Sequence, residues 1–397
     1  MQFGKFGKLI GALALCAVAT LVQAQSGDPI KIGVPMPLTG PLAGAGRLIL
    51  AGAQMATDEV NARGGLLGRP VKLLVEDTKS EPNTAAIVAA KLINQDKVFA
   101  FAGGYGSTAD FAMLQGIKRQ GPIFVHLGSS AVKLEETFGA EPWYYHVYIV
   151  DYHRQKGVAS FLSSIEPKPK RVAIAHEDGL YGSDAVKFAE QYLTAAGFEV
   201  VMKEPYKAGT PDLSPILSRV KSLDPDVFFF VGYSGDNIQI ARQAKALAVK
   251  PKLMMIVAAG EKRDDFGDFG DGIAVIGEWA PEQKTAGMDD FLKRAISGQS
   301  PDTKLVPAFV QGYTGALTLY EAIARAGALD REKVLKELNT GTFNTPYGAL
   351  SYKDSEKGGK HQLLTDATLI VWQYRPVGQE VVWPAAKANG KLIYPAR

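Results

Sequence analysis

The sequence predicts an α/β protein of two doubly wound parallel-sheet lobes joined by three crossover segments. Three observations lead there. Short, wholly apolar runs alternate with helix-period stretches, the pattern of strands buried on both faces of a parallel sheet. That series occurs twice along the chain, and repeated β-α units place helices on both sheet faces. After the second series come helices with no parallel series of their own, which must return to pack on an existing lobe.

The first strands are expected at Ile30–Met36, Val71–Glu76, Val98–Ala102 and Ile123–His126. A helix over 46–62 places Leu50, Ala53, Ala56, Thr57 and Val60 on one face, and Gly64-Gly65 stops it. Another over 82–95 opens on Pro82. The second series predicts strands at Arg171–His176, Phe198–Met202, Val227–Val231 and Leu253–Ala258. Its helices are expected at Tyr181–Ala196, Leu213–Leu223 and Asp236–Leu247. Then come an apolar helix over 305–326, a second over 330–339, and strand-like pieces at Ala349–Tyr352 and Thr368–Tyr374. Crossings are expected near 147–151, 277–281 and 345–365, so that the first lobe holds 28–148 and 280–346 and the second 149–279 and 362–392.

Composition narrows the function. The chain has 397 residues, 46% hydrophobic and 21% charged, which suits a globular protein and not a disordered one. Lys+Arg is 44 against 41 Asp+Glu, a balance that argues against nucleic-acid binding through phosphate neutralisation. A single cysteine, Cys16, excludes a disulfide framework and a cysteine-based zinc cluster. The histidines, His126, His146, His153, His176 and His361, have no tight metal-ligand spacing.

Residues 1–24 read as a secretory signal peptide: Lys5 and Lys8 give the positive start, and Leu9 to Val22 is an apolar run of 14 residues. A bilayer span needs about 20 apolar residues, so an anchor is the weaker reading. Leu15 before Cys16 is too large for a lipoprotein signal. A soluble protein of the cell envelope is expected, exported to the periplasm.

The opening after that segment runs Ile30-Lys-Ile-Gly-Val-Pro-Met-Pro-Leu-Thr-Gly-Pro-Leu-Ala-Gly-Ala-Gly46, then Gly52-Ala-Gln-Met-Ala56, Val60-Asn-Ala-Arg-Gly-Gly-Leu-Leu-Gly-Arg-Pro-Val71 and Glu76-Asp77. Further on stand Asp178-Gly-Leu-Tyr-Gly182 and Val231-Gly-Tyr233. This ordered set resembles the periplasmic solute-binding proteins of ABC transporters, in the leucine/isoleucine/valine-binding subgroup. The resemblance implies the type I periplasmic-binding architecture, closure of two lobes on a small molecule, and integral-membrane permease subunits as partners. It covers nearly the whole chain beyond residue 24.

Ligands of open α/β sheets bind beyond the carboxyl ends of the strands. After Val98–Ala102 the chain reads Gly103-Gly-Tyr105-Gly-Ser107-Thr108, entering a helix. Ser107 and Thr108 stand where a helix N-cap belongs, and free N–H groups with hydroxyls also suit a carboxylate. The resemblance favours the second role, since family members hold the ligand carboxylate with this loop. Ser129 and Ser130 repeat the pattern after the next strand. Tyr181 and Tyr233 fall just past strand ends of the second lobe, and tyrosine offers a flat apolar face with one polar tip. In Trp143-Tyr-Tyr-His-Val-Tyr148, alternation puts Tyr144, His146 and Tyr148 on one face, and Tyr148 is the expected cleft residue. Glu261, in the charged run Gly260-Glu-Lys-Arg-Asp-Asp265, is where the resemblance implies an acid for a ligand ammonium; a solvated turn is the alternative.

Enzyme chemistry finds little support. Ser130-Ala-Val-Lys133 matches a Ser-x-x-Lys pattern, but its companion motifs are missing: Lys284-Thr-Ala286 breaks Lys-Thr-Gly, and no Ser-Asp-Asn occurs. No Gly-x-Ser-x-Gly elbow and no phosphate-binding Walker loop is present. The expectation is a non-enzymatic, monomeric receptor without cofactor, binding a branched-chain or other hydrophobic amino acid. Binding of aromatic or aliphatic carboxylic acids or amides, and ligand sensing for a signalling partner, are the alternatives.

Overall fold

The computed structural model describes residues 27–283, 285, 287–297, 306–354 and 360–396. The expected signal segment 1–24, Leu305 at the start of the expected apolar helix, and 355–359 within the third crossing lie outside the described residues.

The first lobe opens with β1 (Ile30–Met36), α1 (Ala43–Ala62), β2 (Val71–Asp77), α2 (Pro82–Asn94), β3 (Ala100–Gly103), α3 (Ser107–Ile117), β4 (Ile123–His126), α4 (Val132–Phe138) and β5 (Tyr144–His146). The second continues with α5 (Asp151–Ser163), β6 (Arg171–Glu177), α6 (Leu180–Ala195), β7 (Glu199–Tyr206), α7 (Ser214–Leu223), β8 (Val227–Val231), α8 (Ser234–Ala246), β9 (Leu253–Val257) and β10 (Ala274–Gly277). The remainder forms α9 (Met288–Ser297), α10 (Pro307–Ala326), α11 (Arg331–Thr340), the hairpin β11 (Phe343–Thr345) and β12 (Gly348–Leu350), then β13 (Ile370–Tyr374) and β14 (Gln379–Trp383).

Five strands form one sheet in the order β2-β1-β3-β4-β5, all parallel. Seven form the other, β14-β13-β10-β9-β8-β6-β7, in which β13 and β14 join antiparallel. Both sheets therefore reverse their winding after the first strand, between β1 and β3 and between β6 and β8. These are the switch points at which open α/β sheets leave a crevice. Strands β3, β4, β8 and β10 are buried at every position, which explains why β3, β4 and β8 read as short apolar runs; β10 went unread.

The late helices complete the first lobe. Helix α10 lies against α1 so closely that a Cβ on Gly52 would meet the Phe309 carbonyl at 1.9 Å, and one on Gly312 would meet the Ile49 carbonyl at 1.9 Å. Thr57 Oγ1 and Tyr320 OH, 2.7 Å apart, fix the same pair of helices. The third crossing lies along β5, where Gln362 bridges His146 in parallel.

Two helices went unread in the sequence. In α5 nearly every residue from Asp151 to Val158 is buried, polar ones included, so no apolar stripe exists to be seen. In α9 Met288, Phe291 and Ala295 are buried at helical spacing, and Asp289 and Asp290 fill the first turn. That signal was present in the sequence. The strand expected at Phe198–Met202 runs on to Tyr206, pairing with β6 as far as Glu177↔Tyr206.

Candidate functional site: a tyrosine-walled cleft between the lobes

Between the carboxyl ends of the two sheets lies a cavity lined by Tyr105, Ser107, Ser129 and Ser130 from the first lobe, by Tyr148 from the crossing, and by Tyr181 and Tyr233 from the second lobe. Gly106, Gly232, Ala258 and Ala259 complete the lining. Its room amounts to about 20 Å³, enough for one water molecule. The side chains of the two lobes meet across it, Tyr105 against Tyr233.

The turn from β3 into α3 is set by Gly106, whose φ of 106° lies in the left-handed region. A Cβ there would also stand 2.4 Å from Leu42 Cδ1. Ser107 and Thr108 do not cap α3; Gly106 holds the cap position without a side chain. The Ser107 hydroxyl accepts from Ala131 N at 3.3 Å and keeps its own proton for the cleft. Thr108 faces away from the cavity lining. Its Oγ1 accepts from Leu180 N at 3.0 Å, a bond between the lobes. A second such bond joins Lys133 N to Asp184 Oδ2 at 2.9 Å.

Ser129 and Ser130 are both buried, and both hydroxyl protons point inward. Ser129 Oγ donates to Asp110 Oδ2 at 2.6 Å, and Ser130 Oγ donates to Asp151 Oδ2 at 3.0 Å. Each oxygen therefore offers lone pairs, not a proton, to the cleft. The donors available there are the Ser107 hydroxyl and the N–H groups of the first turn of α3, which a helix leaves without intrahelical partners. Asp110 also meets His126 Nε2 at 2.8 Å, whose Nδ1 lies 2.9 Å from Tyr144 OH. Burial lowers the His126 pKa, against the pull of Asp110. Tyr144 and His146, expected on the same face as Tyr148, belong to this buried network instead. The strand ends at His146, so its alternation does not extend to Tyr148.

Four tyrosines wall the cleft. Tyr105 and Tyr233 meet edge to face at 6.0 Å, and Tyr181 and Tyr233 are tilted at 5.4 Å. Tyr148 OH donates to Ala258 O at 3.4 Å. Burial pushes all four phenols above their usual range, and Glu261 adds to the effect at Tyr105. They stay protonated and offer apolar faces with hydroxyl tips.

Behind Tyr148 sits a cluster that sequence reading missed. Arg154, fully buried, has its guanidinium 4.8 Å from the centre of the Tyr148 ring. Its Nη1 donates to Asp151 Oδ1 at 2.8 Å and its Nη2 to Glu278 Oε1 at 3.0 Å. Two carboxylates share one guanidinium in a dry site. Burial accordingly pushes Asp151 up to about 7 and raises Glu278 too, although Arg154 pulls both down. The three-residue spacing of Asp151 and Arg154 was the available signal, hidden by reading 147–151 only as a crossing.

Glu261 is buried but does not line the cleft. Its Oε1 accepts from Asn237 Nδ2 at 2.9 Å and its Oε2 from Gly260 N at 2.9 Å. It borders a neighbouring cavity with Lys262, Arg263 and Trp279. Burial raises its pKa. The solvated-turn alternative fails for this residue, which is 5% exposed.

Lys133 Nζ lies 3.6 Å from Glu136 at the surface, and Ser130 Oγ is bound to Asp151, so the Ser-x-x-Lys pattern assembles no nucleophile and base. Among the described residues no group of three metal-ligating side chains comes together, and no helix is long and apolar enough to cross a membrane.

Relatives share this architecture. The leucine-, isoleucine-, valine-, threonine- and alanine-binding protein of Pseudomonas aeruginosa is 27% identical over 381 residues, 95% of this chain and 98% of the relative. A solute-binding protein of an R. palustris ABC transporter, solved with benzoate, has a TM-score of 0.81 at 18% identity, covering 91% of this chain and 98% of that one. The branched-chain amino acid transporter substrate-binding protein of Streptococcus pneumoniae, solved with isoleucine, has a TM-score of 0.77 at 22% identity, covering 90% and 100%. These two structures establish the common fold. The family described as periplasmic binding protein matches residues 29–375, and with the two switch-point sheets facing one cleft the chain belongs to that family.

Proposed function

We propose that this protein is the extracytoplasmic solute-binding receptor of an ABC importer and that it closes on a branched-chain or other hydrophobic amino acid. The observation that carries this reading is the convergence of Ser107, Ser129, Ser130 and four tyrosines from both lobes on one cavity. The Ser107 hydroxyl and the first N–H groups of α3 take the solute carboxylate. The oxygens of Ser129 and Ser130 accept from its ammonium, and Glu261 supplies the compensating charge nearby. The tyrosine faces cover the side chain. The P. aeruginosa relative, a binder of leucine, isoleucine, valine, threonine and alanine by its name, supports the amino-acid assignment.

In this reading the chain is exported by residues 1–24, works in the periplasm as a monomer, catalyses nothing, and delivers its solute to integral-membrane permease subunits. Ligand contacts to both lobes favour the closed state, so solute binding is read as closure.

The flat tyrosine walls favour one second reading, an aromatic carboxylic acid, in line with the benzoate complex of the R. palustris structure. Thermal-shift and calorimetric titration of the mature chain with leucine, isoleucine, valine, phenylalanine and benzoate separates the two. A solute at about 1,000 times its dissociation constant stabilises the fold by roughly 4 kcal/mol. Binding of amino acids, weakened in Glu261→Gln, supports the first reading. Binding of benzoate alone, unaffected by Glu261→Gln, replaces it with the second.

A further inference from the structure

A larger cavity lies beside the second and third crossings, sharing no lining residue with the cleft. It holds about 710 Å³, within the usual range of small-molecule sites of about 300–1,000 Å³. Its walls come from several segments of the last third of the chain: Glu278 and Glu282 from the second crossing, Tyr347 and Leu350 from the β11–β12 hairpin, Ala367 before β13, and Lys387 after β14.

The wall contains an unmet demand. Glu278 is 2% exposed, and while its Oε1 accepts from Arg154, its Oε2 finds no hydrogen-bond partner among the described residues. The hydroxyl of Tyr347 is likewise buried without one among them. A buried carboxylate oxygen left in this way costs more than almost any other polar atom. Lys387 does not supply the need: its Nζ donates to Ala367 O at 2.7 Å and makes no bond to Glu278 Oε2. Glu282 brings a second carboxylate, held on one side by Gln379 Nε2 at 3.1 Å. Alanines 367, 386 and 388 and Leu350 line the stretch between with apolar surface.

We propose that this hinge cavity is a second ligand site, and that it takes a small aliphatic diamine. One ammonium group has the three donors that Glu278 Oε2 and the Tyr347 oxygen lack. The other faces Glu282, and the methylene chain lies on the alanines and Leu350. An anion meets two carboxylates there, and a neutral solute adds no positive charge beside a cluster in which Glu278 and Asp151 share the single guanidinium of Arg154. Because Glu278 has its other oxygen on Arg154, behind Tyr148, occupation of the hinge cavity reaches the wall of the solute cleft through a single side chain.

The test is calorimetric titration of the mature chain with 1,4-diaminobutane, using 1,4-butanediol as the uncharged control. Saturable one-to-one binding of the diamine and none of the diol is expected. Leu350→Trp, which narrows the cavity and leaves the Glu278–Arg154 bond in place, and Glu278→Gln each lower the affinity at least tenfold. Ser129→Ala, in the cleft and bonded to Asp110 instead of the Arg154 cluster, leaves it unchanged. Absence of binding at millimolar diamine overturns the proposal, as does full binding by either hinge variant, or an equal loss in Ser129→Ala, which moves the diamine to the cleft.

Discussion

Ser130 and Asp151 are joined twice. Ser130 Oγ donates to Asp151 Oδ2 at 3.0 Å, and Asp151 N donates to Ser130 O at 2.7 Å. The first-lobe loop that lines the cleft is thereby fastened to the first turn of α5, where the chain enters the second lobe. Ser130→Ala removes one fastening and one cleft oxygen together. Solute affinity should fall about tenfold, corresponding to about 1.4 kcal/mol. Calorimetric titration checks this, and an unchanged dissociation constant removes Ser130 from the site.

Arg154 should be the most sensitive residue of the hinge. Its loss strands Asp151 and Glu278 as two buried carboxylates 3.0 Å or less from an empty place. Breaking a buried ion pair from one side costs roughly 3–5 kcal/mol. Arg154→Met should lose about that much in urea unfolding. The triple change with Asp151→Asn and Glu278→Gln should recover most of it, because no charge is then left unpaired. A triple variant as unstable as the single one would mean that guanidinium packing on Tyr148, not charge, is what matters.

The same cluster sets a pH dependence. Asp151 stands at about 7 in the folded chain, against about 3.9 when unfolded. Between those values the folded state holds the extra proton, so this group makes stability fall as pH rises. The penalty is absent below the unfolded value and complete above the folded one. Glu278, raised by the same burial, acts in the same direction. Asp151→Asn carries no such penalty. Its unfolding free energy relative to the parent should therefore climb between roughly pH 4 and pH 7 and then level off. A difference independent of pH would rule out titration of Asp151 in that range.

Away from the cavity lining the lobes are joined by Leu180 N to Thr108 Oγ1 and by Lys133 N to Asp184 Oδ2. Thr108→Val with Asp184→Ala removes both and leaves every lining side chain in place. The population should shift toward separated lobes, with a larger radius of gyration in small-angle scattering and solute affinity several-fold weaker. An unaltered scattering profile for the solute-free variant would show that other contacts hold the lobes together.

How much of this was legible in the sequence follows from what each residue contacts. Strands such as Ile30–Met36 and Val227–Val231 coincide with their expected spans because both sheet faces are covered and the apolar run is the strand. Tyr105, Ser107, Tyr181 and Tyr233 were placed by the rule that ligands gather at strand ends together with the family resemblance of the motifs that hold them. Helix α5 was invisible because it is buried on all sides, with Asp151, Arg154 and Gln155 inside. The charges of Asp110 and Glu278 gave no signal either. Their partners, His126 and Arg154, stand 16 and 124 residues away and meet them only in the folded chain. Thr108 and Glu261 lie one side chain away from the cavity lining, a distinction of direction that spacing does not carry.

The contact of Gly52 with Phe309 has a consequence for the order in which the protein is made. Helix α1 emerges early in synthesis, but its partner α10 follows only after five strands of the second sheet, β6 to β10. Until then the face carrying Ile49, Ala53, Ala56 and Val60 has no permanent cover. The first lobe therefore finishes folding late although its strands arrive first, across one of the longest sequence separations in the chain. During synthesis the chain therefore carries a half-covered N-terminal lobe, the kind of intermediate that holding chaperones bind.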